Sequence, residues 1–241
     1  MFDFSTGYCN NGGYAGIGSR HVSKFVTEKQ AIFAFCMTLH GFKLFSGGVD
    51  GSDYGFEYGA KLAYDFLCKI DNSLPSGDYD RVMQIYLPWP GFNLRSGSGY
   101  TVPKNTSKSM AYAQQFHSNW FGLSDAGKQL MVRNSHQVLG SDLRTPVSFV
   151  VICHTSDGAT HASATMAITG GTEQAIRVAS ANAISVCNTG NPSNYLRIEA
   201  KIRNASQIIL ERFGMSLRNM CVRKCTATCH SNYQKNLLLK A

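Results

Sequence analysis

The sequence predicts a doubly wound α/β fold, with a mainly parallel sheet and helices on both of its faces. Three observations carry that expectation. Short apolar runs alternate along the chain with longer stretches of helical periodicity, the pattern that builds a parallel sheet. Two glycine-rich segments, Gly16-Ile17-Gly18-Ser19-Arg20 and Ser46-Gly47-Gly48-Val49-Asp50-Gly51-Ser52-Asp53, each stand where an apolar run gives way to a helical pattern. The run from Val147 to Cys153 is nearly continuous in apolar side chains, as expected of a central strand covered on both sides.

Tyr14 to Ile17 is read as the first strand. A helix follows, opened by a capping box in Thr27-Glu28-Lys29-Gln30, with Ile32, Phe35, Cys36 and Leu39 at helical spacing and Gly41 as its stop. Phe42 to Phe45 is the second strand, and Phe56, Ala60, Ala63 and Leu67 mark a second helix capped by Ser52 or Asp53. Arg81 to Leu87 is strand-like and stops at Pro88-Trp89-Pro90-Gly91, which cannot continue a ladder. Residues 91 to 109, rich in Gly, Ser, Asn and Thr, form one long loop, a surface excursion or a lid. Helices are expected over 110–120 and 124–139, then the strand ending at Cys153, a helix over 172–183, and a last strand over 184–188. The chain is divided into a core domain over 1–194 and a helical, basic extension over 195–241.

Bulk composition narrows the class. With 241 residues, 44% hydrophobic and 16% charged, the chain has the composition of an ordinary globular protein. No apolar stretch approaches the ~20 residues of a membrane span, and the first residues lack the basic-then-apolar layout of a signal peptide, so a cytoplasmic protein with no membrane partner is expected. Five of the eight cysteines are scattered singly, at 9, 36, 68, 153 and 187, and read as reduced thiols. Net charge is +8, and residues 201 to 241 hold eight basic side chains against Glu211 alone, which is +7. Such a tail suits polyanions, with Arg218, Arg223, Lys224 and Lys235 as candidate nucleic-acid contacts; a solvated, solubilising helix is the alternative.

The candidate site lies in the glycine turns. A helix N-terminus leaves unpaired N–H donors and a partial positive charge, and glycine lets an anion approach the backbone without a Cβ in the way. Gly18, Ser19, Arg20, Ser46, Gly47 and Gly48 are therefore candidate phosphate ligands, with Arg20 favoured because guanidinium matches phosphate bidentately. An ion pair from Arg20 to Asp50 or Asp53 is the competing reading. Asp53 joins the set at the start of the second helix, although dipole complementarity alone accounts for it. Gly170, Gly171 and Thr172 open a later helix as a second cradle, or Thr172 simply caps it; Arg133 and Asn134 would reach the ligand from the other side. His154, Asp157 and Asp142 lie near strand ends and His161 follows, without a catalytic or metal-binding spacing. Cys221, Cys225, Cys229 and His230 depart from the usual zinc knuckle and read as a thiol face. Neither a metal nor a cofactor is expected.

Gly18-Ser19-Arg20, Ser46-Gly47-Gly48 with Asp50-Gly51-Ser52-Asp53, Arg133-Asn134, and Thr169-Gly170-Gly171-Thr172 before Gln174-Ala175 together resemble the SLOG superfamily of Rossmann-like proteins. Their order over residues 13 to 192 is most similar to DNA-processing protein A and the phage and mobile-element proteins called DprA-like, and more distantly to the lonely-guy phosphoribohydrolases. The resemblance implies a Rossmann-like sheet whose carboxyl edge binds a nucleotide or nucleotide-derived ligand, with single-stranded nucleic acid as an alternative partner. A homo-oligomer is also expected. Here Gly170-Gly171-Thr172 runs directly into Glu173-Gln174-Ala175 without the acidic residues that follow in the phosphoribohydrolases, and the segment after 195 is short for a winged helix. Asp53 to Ala60 is similar to the segment bearing the nucleophilic glutamate of nucleoside deoxyribosyltransferases, which makes Glu57 the candidate catalytic residue of an N-glycosidic enzyme. A DprA-like single-stranded DNA-binding module and a sequestering binder of signalling nucleotides in phage–host conflict are the non-catalytic alternatives.

Overall fold

A computed structural model describes residues 1–3, 5–144, 146, 150–160 and 170–213. Six strands form one sheet: β1 (Gly13–Gly16), β2 (Lys43–Ser46), β3 (Met83–Tyr86), β4 (Tyr100–Thr101), β5 (Val150–Cys153) and β6 (Ser185–Asn188). Their order is β4-β3-β2-β1-β5-β6, and every neighbouring pair is parallel. The chain winds outward from β1 to β4, then returns to lay β5 on the other side of β1. That reversal opens a crevice at the carboxyl ends of β1 and β5, where doubly wound sheets bind their ligands.

Alternation along the strands separates two cores. Tyr14, Leu44, Met83, Ile85 and Ile152 join Phe33, Phe56 and Leu67 on one face, whereas Ala15, Ile17, Val151 and Cys153 join Val138, Ile176 and Val178 on the other. The first face carries α1 (Lys24–Leu39), α2 (Ser52–Ile70) and α6 (Pro192–Phe213), and the second carries α4 (Asp125–Leu139) and α5 (Gly171–Ala181), with α3 (Ser107–Gln114) packed on α4. The structure is thus the doubly wound α/β fold that the sequence predicts.

Several local expectations are corrected. Helix α1 starts a turn before the Thr27 capping box: Ser23 is the N-cap and accepts from the Val26 N–H at 3.3 Å, while the Thr27 hydroxyl donates to the Ser23 carbonyl. Helix α2 is capped by neither Ser52 nor Asp53; Gly51 holds the cap position at φ 84°, where an added Cβ would sit 2.5 Å from the Arg20 carbonyl oxygen. The long loop over 91–109 contains β4, which pairs Tyr100 with Ile85 at the sheet edge. Helix α3 begins at Ser107, where Thr106 and Ser109 cap one another, and ends at Gln114, short of the expected Trp120. The boundary expected at 194/195 falls within α6, whose Ile198 and Ala205 are buried in the first core. Residues 147–149, His161, Thr169 and the tail set Arg218, Cys221, Arg223, Lys224, Cys225, Cys229, His230 and Lys235 lie outside the described residues.

Candidate functional site

The loops after β1 and β2 are held together by their own backbone and by one carboxylate. The Ser46 hydroxyl donates to the Gly16 carbonyl at 2.6 Å, joining the two strand ends, and the Ser52 N–H donates to the Ser19 carbonyl at 3.1 Å. Asp53, 2% exposed, accepts from the Gly18 N–H at 3.2 Å, the Val49 N–H at 3.4 Å and the Arg133 guanidinium at 3.2 Å. One side chain therefore ties both glycine turns to α4. Burial raises the Asp53 carboxyl, with the Arg133 charge and the two backbone donors working against that rise.

The glycines are required by contact. A Cβ at Gly18 would lie 2.3 Å from Ser52 Oγ, and one at Gly47 would fall 1.3 Å from an Arg133 guanidinium nitrogen. Arg133 is thus packed beneath the Gly47 backbone with its Nε lacking a partner among the described residues, and the fully buried Gln137 amide beside it lacks partners for both of its atoms. Arg133 and Asn134 were expected to reach a ligand directly. At 4% and 3% exposure they instead brace the loops: Asn134 donates to the Gly171 carbonyl at 3.0 Å and so links α4 to the start of α5.

Arg20 is exposed, and among the described residues it makes no ion pair. The competing expectation, a pair with Asp50 or Asp53, gives way to Arg133 on Asp53 and to Arg95 lying 4.0 Å from Asp50. Ser19 Oγ accepts from the His21 N–H at 3.0 Å and stiffens its own turn.

Arg95 was missed by sequence reasoning. It sits in the Gly/Ser-rich segment after β3, and its signal was a lone basic residue within a loop of small polar ones. Its Nε donates to Glu57 Oε2 at 2.8 Å; Tyr100 donates to Glu57 Oε1 at 2.5 Å, Lys61 donates to the same oxygen at 3.0 Å, and Lys61 also meets the Tyr100 hydroxyl. Burial would raise the Glu57 carboxyl, but the charges of Arg95 and Lys61 and the hydrogen bonds from Tyr100 and Arg95 outweigh it and hold the group below 4.5. Both oxygens of this 4% exposed carboxylate are engaged. Attack on an anomeric carbon would first require Arg95 and Tyr100 to let go, so Glu57 here anchors the loop to α2.

At the other side of the crevice, Gly170 caps α5 in an extended conformation without a side-chain cap bond, and Thr172 is buried one residue inside the helix, so Thr172 is not the cap. Glu173 is 5% exposed with Oε2 unpartnered among the described residues, and burial raises its carboxyl. His154 Nδ1 lies 3.0 Å from Thr189 Oγ1. Asp157 accepts from the Thr155 hydroxyl and the Ala159 N–H, and Asp142 from the Arg144 N–H, so both shape turns. Among the described residues no three His, Cys, Asp or Glu side chains are grouped to hold a metal, the five cysteines are free thiols, and no helix is long and apolar enough to cross a membrane.

Fold and crevice together define a Rossmann-like α/β protein with glycine turns at the carboxyl edge of a parallel sheet. No family model matches the chain, and neither a curated protein nor a solved structure matches it.

Proposed function

We propose that the chain binds a nucleotide or nucleotide-derived ligand through its phosphate, in the crevice at the carboxyl ends of β1 and β2. The observation that carries this reading is the convergence of three guanidinium groups. Arg20 and Arg95 both lie near enough to Arg133 to disfavour its charge, adding to the larger effect of its burial. Like charges gathered at one sheet edge repel one another, and an anion placed among them relieves that repulsion. Arg133 and Arg95 are committed to Asp53 and Glu57, which leaves Arg20 as the cation presented to solvent beside the Gly18 and Ser19 backbone. A phosphate is the anion that matches a guanidinium fork and a glycine turn at once. The resemblance to SLOG proteins, whose motifs coincide with these turns, points to the same ligand class.

Calorimetric titration with nucleoside monophosphates and their parent nucleosides tests the reading. The phosphate-bearing member of each pair binds more tightly, and Arg20→Ala weakens it by about 1.5–3 kcal/mol, the range for a hydrogen bond to a charged group. Equal affinity for nucleoside and nucleotide across the panel would remove the phosphate pocket.

A further inference from the structure

Between α1, α6 and the carboxyl ends of β5 and β6 lies a cavity of about 170 Å³, lined by Val26, Phe33, Phe56, Ile152, Ile198 and Ile202 among others. Its wall is almost wholly hydrocarbon. One polar side chain in that wall is left unsatisfied: Gln30, 4% exposed, gives its amide N–H to Ser52 Oγ at 3.0 Å, while its Oε1 has no partner among the described residues. Three further lining residues join the two helices. Lys29 Nζ meets Glu199 Oε1 at 2.6 Å, and the Tyr195 hydroxyl donates to the same oxygen at 2.8 Å.

A dry space of this size suits one ring, since an engineered apolar cavity of about 150 Å³ stays empty of water and takes up benzene. Water is a poor occupant here, because it needs several polar partners and the wall offers one acceptor. A nucleobase is no better suited, since its polar edges would be buried without partners. An aromatic ring with a single donor satisfies both the hydrocarbon and the orphaned oxygen. We infer that the cavity between α1 and α6 is a binding site for a monocyclic aromatic ligand of the phenol type, its ring against Phe33, Ile152, Ile198 and Ile202 and its hydroxyl donating to Gln30 Oε1. This site is separate from the phosphate crevice, and neither reading depends on the other.

Phenol and toluene are the matched probes, alike in ring and size, with a donor on the first alone. Titration of the full chain followed by NMR gives saturable phenol binding, with nuclear Overhauser contacts from the ring to the methyl groups of Ile152, Ile198 and Ile202. Ile198→Phe, which fills the space, lowers phenol affinity by at least about tenfold, and Gln30→Leu weakens phenol about tenfold relative to toluene. Phenol that fails to saturate, or that contacts other methyl groups on the unaltered protein, overturns the inference whatever the variants do. A Gln30→Leu protein that keeps the phenol-to-toluene ratio of the original overturns the role of the Gln30 oxygen.

Discussion

His136 shows how one buried side chain sets a pH dependence. It is 2% exposed with Nδ1 2.7 Å from the Gly140 carbonyl, so this nitrogen carries the proton of a neutral ring, and burial pushes the imidazole below 6.5. Burial depresses His40, His117 and His154 in the same way. A depressed folded pKa means that the unfolded chain binds protons first as pH falls, so this stability is present above 6.5 and lost progressively below it. Asp53 and Glu173, raised by burial, act in the opposite sense, which makes the histidine contribution a difference to be isolated by mutation. Urea midpoints measured at about pH 7.5 and about pH 5.5 should fall at the lower value, with a smaller fall in His136→Gln. An equal fall in the variant would show that His136 does not contribute. Little of this was legible beforehand, because His136 reads in sequence as one polar residue of a helix and its burial comes from packing against the rest of the fold.

The contact between α1 and α2 is set by two glycines. A Cβ at Gly55 would come within 2.8 Å of the Thr27 carbonyl oxygen and one at Gly59 within 2.0 Å of the Ala31 carbonyl oxygen, so the two helices touch backbone to backbone. In sequence these glycines look like helix weaknesses inside the Asp53–Ala60 segment that suggested an enzyme. Their positions are instead explained by close helix packing. In an isolated helix Gly→Ala gains about 1 kcal/mol of propensity. Here overpacking of about 1–3 kcal/mol opposes that gain, so Gly59→Ala should lower stability while Gly77→Ala, in a turn with open space around it, leaves the interface intact. A stabilised Gly59→Ala in chemical denaturation would contradict the close approach. The same scale explains the missed β4: two residues carry no periodicity, and the pairing of Tyr100 with Ile85 is decided by the sheet edge they find and by the Tyr100 bond to Glu57.

For the whole molecule the uneven charge is the leading feature. Seven of the eight net positive charges follow residue 200, and residues beyond 213 lie outside the described ones. Binding of single-stranded nucleic acid, if it resides in that tail, is sequence-independent and weakens steeply with salt, each neutralised phosphate adding about 0.7 to the slope of log affinity against log salt. Truncation after Phe213 keeps α6 on α1 and removes Arg218, Arg223, Lys224, Lys235 and Lys240. It should lower the slope by up to about 3.5 if all five contact phosphate, with nucleotide affinity in the crevice unchanged. An unchanged slope in filter-binding or fluorescence titrations would make the tail a solubilising appendage.

The alternation of strands and helices, the parallel sheet and the two glycine turns were determined by the sequence alone, because periodicity and glycine are local signals that survive without a partner. Helix starts were legible only to within a turn: Ser23 and Thr27 are equally able to cap, and the loop after β1 decides between them. What the tertiary structure decided was the pairing of charges. Asp53 with Arg133 and Glu57 with Arg95 are separated by 80 and 38 residues, and no spacing rule joins them. Burial makes those pairings, since a carboxylate removed from water takes the nearest available donors, and which donors are nearest depends on how the sheet is wound. The same winding turned Arg133 and Asn134 from expected ligand contacts into braces and left Arg20 at the surface.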